Sequence, residues 1–398
     1  MKRMVSSVSQ GARALLSRRT LALAGAAALL GGCQVIPKTE TVSTAPVVTP
    51  TPEPTPTALP TDATRHRVAL LVPLSGSTAE VGQALADATT MALLDTNAKN
   101  LRITTYDTGQ GAGEAARQAV VDGNKLILGP LLASNVPAVQ AQARPASVPA
   151  IAFSNDTQVA SADVFLMGHV PEQSIRRTVR YARARGSTLF AALVPDGDYG
   201  QRSYAALETA LGAYGGNLIA RETYARGNTS IVSAAQRLRT KGGYDTVLIA
   251  DGARLATQAA SELKRSGAEG TRILGTELWS GESALTQASS VDGAMFSAVS
   301  DRRFKRFSDS YEARFGKKPY RIATLGYDSV LLTLRIANDW TLGSNFPTNR
   351  LFDRAGFLGV DGAFRFGRDG VAERALEVRQ VSGGAVTQVD PAPTSFGE

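Results

Sequence analysis

Short apolar runs alternate with amphipathic segments along most of the chain. The first run, residues 68–72, contains no polar position and ends at Pro73, which is typical of a strand buried on both faces of a sheet. Residues 80–95 then place apolar side chains at helical spacing, and residues 101–106 form a second β-branched run. The pattern predicts a strand–helix–strand unit.

The same alternation continues to about residue 300. Further strands are predicted at residues 125–130, 148–153, 188–194, 216–224, 246–250 and 272–274. Helices are predicted at residues 114–122, 134–144, 172–185, 229–239, 253–266, 301–315 and 321–338, and another follows the loop at residues 195–200 and ends at Leu211. Alternating strands and helices imply parallel sheets with right-handed crossovers, so the fold class is α/β with two lobes. Residues 362–366 and 375–381 flank a glycine-bounded turn and are predicted as antiparallel hairpin strands.

The N-terminal part has a different composition. Residues 1–33 combine a positive end with an apolar run at residues 21–30, shorter than the roughly 20 residues that span a bilayer, and are predicted to be a signal peptide. The run ends in Leu-Gly-Gly-Cys, which resembles a bacterial lipobox and implies a lipid on Cys33, the only cysteine in the chain. Residues 34–64 are rich in Thr and Pro and are predicted to form an extended tether.

Charge and motif content exclude several function classes. The net charge of +8 includes arginines of the predicted signal peptide, and the others are scattered over helix faces, so no nucleic-acid partner is predicted. The two histidines, His66 and His169, have no cysteine partner, so we expect no metal site, and His169 is interpreted as a loop or crossover residue. No nucleophile–base set or phosphate-binding glycine motif can be assembled. The chain is predicted to be non-enzymatic and without a cofactor.

Polar residues follow the predicted strands at the edge where the carboxyl ends of parallel strands meet. Ligands of open α/β sheets bind at this edge. The candidates there are Ser75, Asp107, Ser134, Ser154 and Asp156. Because Ser and Asp before a helix are also good N-caps, a structural role for these side chains remains an alternative.

The order of elements resembles the type I periplasmic binding protein fold, the leucine-binding-like arrangement of two Rossmann-like lobes joined by crossover segments. The segments that carry the resemblance are residues 68–76, 128–130, 149–156, 195–200 and 274–278. The resemblance implies one two-lobed domain over residues 65–398 with a ligand cleft between its lobes. Lobe 1 is expected at about residues 65–165 with part of the C-terminal region, and lobe 2 at about residues 170–300.

Two branches of that family are candidates. The opening at residues 70–76 and the corners at residues 106–109 and 153–156 resemble penicillin-binding protein activators more than they resemble the branched-chain amino-acid receptors. That resemblance implies that the protein stimulates a peptidoglycan synthase and that a ligand in the cleft regulates this stimulation. An Asp directly after the lipidated cysteine would resemble an inner-membrane retention signal. This chain has Gln34 at that position, which favours anchoring in the periplasm at the inner leaflet of the outer membrane. The alternative is a substrate-binding lipoprotein of an ABC transporter for branched-chain or other amino acids.

The amino-acid receptors of this family imply ligand contacts at matching positions. The implied residues are Ser134, Asp156, Thr157, Tyr199, Asp251 and Glu277. Hydroxyls after the third and fourth strands would hold a ligand carboxylate, whereas Glu277 would pair with the ligand ammonium and Asp251 lies at the same rim. Tyr199 and Trp279 are expected either to stack on a ligand or to close the interface between lobes.

Overall fold

The computed structural model describes residue 62, residues 64–227, 230–265 and 270–393, and residue 396, all within one compact unit. Cys33, the predicted signal peptide and nearly all of the predicted tether lie outside the described residues. Among the helices that are described, none combines the length and the apolar composition that crossing a bilayer requires.

The order of elements follows the predicted alternation. The strands are β1 (His66–Val72), β2 (Leu101–Asp107), β3 (Leu126–Leu128), β4 (Ala150–Ala152), β5 (Val164–Leu166), β6 (Leu189–Pro195), β7 (Asn217–Tyr224), β8 (Thr246–Ile249), β9 (Arg272–Leu274), β10 (Met295–Ala298), β11 (Phe357–Gly359), β12 (Gly362–Phe366), β13 (Ala372–Arg374), β14 (Glu377–Ser382) and β15 (Ala385–Asp390). The α-helices are α1 (Ala79–Asp95), α2 (Ala112–Val121), α3 (Val136–Ala143), α4 (Pro171–Ala184), α5 (Asp198–Tyr214), α6 (Ser230–Lys241), α7 (Ala253–Leu263), α8 (Ala284–Gln287), α9 (Phe304–Phe315) and α10 (Thr324–Ala337).

Lobe 1 is built on a five-stranded sheet in the order β2-β1-β3-β4-β5, in which every pair is parallel. Residues 68–72 of the central strand β1 are fully buried, as the unbroken apolar run predicts. One face packs on α1 and α10 and the other on α2 and α3. Helices on both faces explain why the strand shows no polar alternation.

Lobe 2 contains a seven-stranded sheet in the order β15-β14-β10-β9-β8-β6-β7. Strands β6 to β10 pair in parallel, whereas β14 and β15 add an antiparallel edge. Helices α6 and α7 cover one face, and α4 and α5 cover the other. The α/β class with two lobes and parallel sheets is therefore confirmed.

The chain passes between the lobes at residues 167–170, 299–303 and 375–376. After the first passage it builds lobe 2, and after the second it returns to lobe 1 to add α9, α10 and the small antiparallel sheet β11-β12-β13. The third passage sends β14 and β15 back to lobe 2. These neighbouring crossovers form the floor between the lobes.

The third crossover corrects the predicted C-terminal hairpin. Residues 375–381 were expected to pair with residues 362–366, but β13 pairs with β12 instead, and β14 pairs with β10 of lobe 2. The sequence pattern does not predict strands β10, β11, β13 and β15. The predicted helix at residues 301–315 begins only at Phe304, because residues 299–303 form a crossover. Likewise, the helix predicted from residue 134 begins at Val136, after a 3₁₀ turn.

Candidate functional site

Glu277 is held at the carboxyl end of β9 by a buried tryptophan. The 3₁₀ turn Glu277–Trp279 follows Thr276 and Gly275, and Gly275 is needed because a Cβ there would lie 2.3 Å from the Trp279 ring. The Trp279 ring is fully buried, and its Nε1–H donates to the backbone oxygen of Asp251 at 2.9 Å. Trp279 thus belongs to the core of lobe 2, which corrects the expectation that it stacks on a ligand or closes the lobe interface.

The Glu277 carboxylate uses one oxygen within the protein. Its Oε1 accepts a hydrogen bond from the Tyr199 hydroxyl at 2.9 Å, and that hydroxyl also lies 2.9 Å from Oγ1 of Thr276. Its Oε2 is shielded from solvent and has no hydrogen-bond partner among the described residues. Burial raises the pKa of Glu277 to about 7, although hydrogen bonds from its own backbone and from Tyr199 oppose the rise. Burial, then the Glu277 charge, raises the pKa of Tyr199 well above its usual range.

A cavity of about 390 Å³ lies between the lobes and includes Glu277 in its wall. Lobe 1 contributes mainly apolar side chains: Val81, Leu131, Leu132, Phe153 and Ile322. Lobe 2 contributes Glu277, Leu278, Ser280 and Glu282. Such a cavity suits a small molecule with an apolar body and a polar end directed at lobe 2.

The polar corner after β2 stabilises its own backbone. Asp107 Oδ1 accepts backbone N–H groups of Leu74 and Gly109, each at 2.7 Å. Burial opposes ionisation of Asp107, but hydrogen bonds from Ser75 and these N–H groups outweigh it and lower the pKa. The Ser75 hydroxyl also accepts from the Gln110 side chain at 3.0 Å. Neither Ser75 nor Asp107 lines the cavity.

The polar side chains in the corner after β4 also accept hydrogen bonds from their own backbone. Ser154 Oγ accepts the backbone N–H of Asp156 at 3.0 Å, and Asp156 Oδ1 accepts the backbone N–H of Gln158 at 3.1 Å. The Thr157 hydroxyl lies 3.5 Å from the Glu172 carboxylate. These side chains serve as caps or bridges, the structural role that the sequence leaves as an alternative.

Asp156 also joins the two lobes. Arg202 of α5 donates from Nη1 to Asp156 Oδ1 at 2.9 Å and to the backbone oxygen of Asn155 at 2.7 Å. The Arg202 side chain is buried, so salt screens this ion pair less than an exposed one. No local sequence pattern distinguishes Arg202 from the other arginines of the chain.

The remaining predicted residues lie away from the cavity. Ser134 is exposed in the 3₁₀ turn before α3 and is not part of the cavity wall. Asp251 is buried, and its carboxylate accepts from Tyr224 at 2.6 Å, from Arg226 at 2.9 Å and from the N–H of Gly252 at 2.7 Å. Of the predicted cleft residues, the structure brings Glu277 into the wall and sets Tyr199 behind it.

Several charged side chains form a group where the crossovers meet, and no sequence pattern predicts this group. Asp361 is fully buried; its carboxylate accepts from the Thr324 hydroxyl at 2.9 Å and from Arg321, and it lies 2.8 Å from His169 Nε2. Burial opposes ionisation of Asp361, but Arg321 and His169 lower its pKa. Burial lowers the pKa of His169, although Asp361 opposes this. His169 lies on a crossover, as predicted, and with Arg321 it lines the cavity.

No local sequence pattern points to this group, because its members come from three separate segments that only the crossovers bring together. Within the part of the chain that the structure describes, no three His, Cys, Asp or Glu side chains are arranged to hold a metal ion. The ionisable side chains in the cavity wall are the carboxylates of Glu277 and Glu282, the His169 imidazole and the Arg321 guanidinium.

Comparison with known proteins identifies a family to which the chain is similar. The family model described as periplasmic binding protein matches residues 66–385. An uncharacterised protein of Rickettsia prowazekii is 30% identical over 136 residues, which is 34% of this chain and 36% of that protein. The chain thus aligns with little more than a third of that relative's length.

Solved structures share the fold at low identity. A leucine-binding protein of Thermotoga maritima is 18% identical, with a TM-score of 0.64, over 83% of this chain and 99% of that one. An ABC-transporter solute-binding protein of Rhodopseudomonas palustris, in complex with 3,4-dihydroxybenzoic acid, is also 18% identical, with a TM-score of 0.66, over 83% of this chain and 98% of that one. These matches support the two-lobed architecture.

Proposed function

Because the chain belongs to the periplasmic binding protein family, we propose that it is a periplasmic solute-binding protein that holds a small, amine-bearing molecule between its lobes. The observation that carries this proposal is Glu277, which lines an interlobe cavity and whose buried Oε2 has no hydrogen-bond partner among the described residues. A ligand ammonium would satisfy that oxygen with a charge-assisted hydrogen bond.

Two neighbours support a small organic ligand, since one is a leucine-binding protein and the other holds 3,4-dihydroxybenzoic acid. The apolar wall from lobe 1 would cover the body of such a molecule. The Rhodopseudomonas palustris neighbour is a solute-binding protein of an ABC transporter, and transfer of the ligand to an ABC permease is the activity that we propose for this chain.

Calorimetric titration of the purified full chain with amino acids and amines tests the proposal. Glu277→Gln keeps the shape of the side chain and removes its charge, so we expect affinity for an amine-bearing ligand to fall roughly 10- to 100-fold. Glu282→Gln is the matched control, because Glu282 lines the same cavity but is exposed, where a charge contributes little. Equal losses in both variants, or no binding by any compound, would contradict the proposal.

A second candidate is activation of a peptidoglycan synthase, the function implied by the penicillin-binding protein activators that the chain resembles. The occupied corners of lobe 1 favour it: Asp107, Ser154 and Asp156 bind their own backbone rather than offering groups to a ligand. Its test is the glycan polymerisation rate of a purified penicillin-binding protein with and without the chain. An unchanged rate at saturating chain would remove this candidate.

We also propose the N-terminal organisation that the sequence implies, with residues 1–33 as a signal peptide, a lipid on Cys33 and residues 34–64 as a tether. The anchor would hold the protein at the inner leaflet of the outer membrane. Labelling of cells with a fatty-acid probe should mark the wild type and not Cys33→Ser, and fractionation should recover the wild type with outer membranes. Recovery of the unlabelled wild type in the soluble periplasm would exclude the anchor.

A further inference from the structure

The chain that follows β15 leaves the sheet of lobe 2 and is held there at its start by Arg177 of α4. Arg177 Nη2 donates to Asp390 Oδ2 at 2.7 Å and to the backbone oxygen of Pro391 at 3.3 Å. Its Nε donates to the backbone oxygen of Leu376, in the third crossover, at 3.2 Å. The Arg177 side chain is only 12% exposed, so salt screens its ion pair with Asp390 less than an exposed one. The start of this C-terminal segment is therefore fixed to lobe 2 beside a crossover.

Phe396, further along the same segment, contacts lobe 1. The Arg365 guanidinium carbon, from β12, lies 4.9 Å from the centre of the Phe396 ring, within the distance at which a cation is attracted to an aromatic face. The ring also packs on the loop before β11, since a Cβ on Gly356 would lie 3.3 Å from Phe396 Cε2. Phe396 is half-buried by these contacts. A segment that starts in lobe 2 thus ends against the small sheet of lobe 1.

Between these two contacts the described residues of the segment lie beside the crossovers. Pro391 and Ala392 line a cavity of about 270 Å³, together with the crossover at residues 299–303 and with β11 and β12 of lobe 1. Pro393 and Phe396 line another cavity, of about 220 Å³, between α4 of lobe 2 and β13 of lobe 1. The segment therefore bridges the two lobes where the chain itself crosses between them.

The length and composition of the segment limit how far the bridged parts of the lobes can separate. Phe396 lies six residues after Asp390, so their Cα atoms can be at most roughly 20 Å apart even in a fully extended chain. Pro391 and Pro393 fix two backbone φ angles and make the segment stiffer than a glycine- and serine-rich linker. A lobe rotation that needs a larger separation must first release Phe396 from lobe 1.

We propose that residues 391–396 form a strap that restricts rotation of the lobes about the crossovers while Phe396 is packed on lobe 1. The crossovers are covalent and permanent, whereas the contact of Phe396 with Arg365 and Gly356 can break and re-form, so the strap gives the lobes a restricted and a released state. This inference goes beyond the proposed solute binding. Arg177, Arg365 and Gly356 are not part of the cavity wall that contains Glu277, and the strap needs no ligand there.

Pairs of spin labels, one on each lobe, can measure the restriction. The full chain would carry Cys33→Ser, which removes its only natural cysteine. One pair uses Gln142→Cys on α3 and Ser233→Cys on α6, and a second pair uses Thr90→Cys on α1 and Thr209→Cys on α5. All four positions are exposed, and the two pairs lie on opposite faces of the two sheets. Double electron–electron resonance then gives the interlobe distance distribution without added ligand.

Truncation after Asp390 removes the strap and leaves β15 complete. We expect the distance distribution of at least one label pair to become roughly twofold broader, because lobes joined without the strap rotate more freely. Equal widths for the truncated and the full-length chain in both label pairs would overturn the proposal.

Phe396→Ala tests the contact with lobe 1 at unchanged chain length. It should broaden the same distribution as truncation, because the attraction of Arg365 to the ring is lost. Phe352→Ala is the matched control, since Phe352 is an exposed phenylalanine that packs on Phe165 within lobe 1, with 5.8 Å between ring centres. Broadening in Phe396→Ala alone supports the strap. An unchanged width in Phe396→Ala, or equal broadening in Phe352→Ala, would overturn it.

Discussion

The two lobes begin with the same local packing but present different chemistry to the cavity. In both, an early glycine of a helix packs against the carbonyl of a proline near the end of the preceding strand: Gly82 against Pro73 in lobe 1 and Gly200 against Pro195 in lobe 2. A Cβ at either glycine would lie 1.7 Å from that carbonyl oxygen. The shared contact sets each helix against its sheet.

The polar side chains that follow the strands have different hydrogen-bond partners in the two lobes. In lobe 1, Asp107 and Asp156 accept backbone N–H groups and cap their own turns. In lobe 2, Glu277 lines the cavity, and its Oε2 has no partner among the described residues. One fold position can therefore serve either the loop or the ligand: the aspartates after β2 and β4 bond their own backbone, whereas the turn after β9 brings a carboxylate to the cavity.

The largest expected effect comes from filling the shared glycine contact. Gly200→Ala places a methyl group where the Pro195 carbonyl lies, and should lower the free energy of unfolding by roughly 3 kcal/mol because the backbone must shift. Urea denaturation measures the change. Gly212→Ala, in the same helix with nothing within 4 Å of its Cβ, should instead stabilise by up to about 1 kcal/mol. Similar losses in both variants would contradict the packing argument.

The pH dependence of ligand binding is the next largest effect. The pKa of Glu277 rises from an ordinary value of 4.5 to about 7 on folding, so the folded chain keeps a proton that the unfolded chain has lost. Stability therefore falls as pH rises from about 4.5 to 7. An ammonium needs the ionised carboxylate, so its affinity should increase about tenfold per pH unit below 7 and level off above it.

Calorimetry from pH 5 to pH 9 with an amine-bearing ligand follows this profile. Glu277→Gln should show a flat profile, since the titrating group is gone. A profile in the wild type that is flat, or that rises toward acid, would assign the ligand's positive end elsewhere.

Capping by Asp107 in lobe 1 should affect stability and not binding. Asp107→Ala removes the acceptor of two backbone N–H groups and should cost about 1–2 kcal/mol of unfolding free energy. Asp196→Ala in lobe 2 is the control, because Asp196 is exposed in the turn after β6 and should change stability little. A loss of ligand affinity in folded Asp107→Ala would mean that the turn after β2 takes part in ligand binding.

Local patterns account for what could be predicted from the sequence. The buried run at residues 68–72 and the alternation after it predicted parallel sheets, because strand and helix periodicity is a property of neighbouring residues. The resemblance to a family led to Glu277. For Asp107 and Asp156 the sequence left capping and ligand binding open, since both roles need the same residue type before a turn.

The floor of the cavity could not be predicted in this way. His169, Ser280 and Arg321 belong to different segments, and only the crossovers bring them together. The same crossovers divided the predicted C-terminal hairpin, because β14 leaves β13 to join the sheet of lobe 2. Long-range pairing of this kind leaves no periodic pattern in a single sequence.

The smallest expected effect concerns the hydrogen bond from Tyr199 to Glu277. That bond stabilises the ionised carboxylate and opposes the effect of burial on its pKa. Tyr199→Phe removes about 1 kcal/mol of this stabilisation, so the midpoint of the pH profile for amine binding should rise by roughly half a unit to one unit. Tyr106→Phe is the matched control from lobe 1, where the Tyr106 hydroxyl donates to Asp122 at 2.7 Å, and it should leave the midpoint unchanged. An equal shift in both variants would show that the midpoint reports the stability of the whole protein, whereas a shift in Tyr199→Phe alone would assign the titration to the lobe 2 carboxylate.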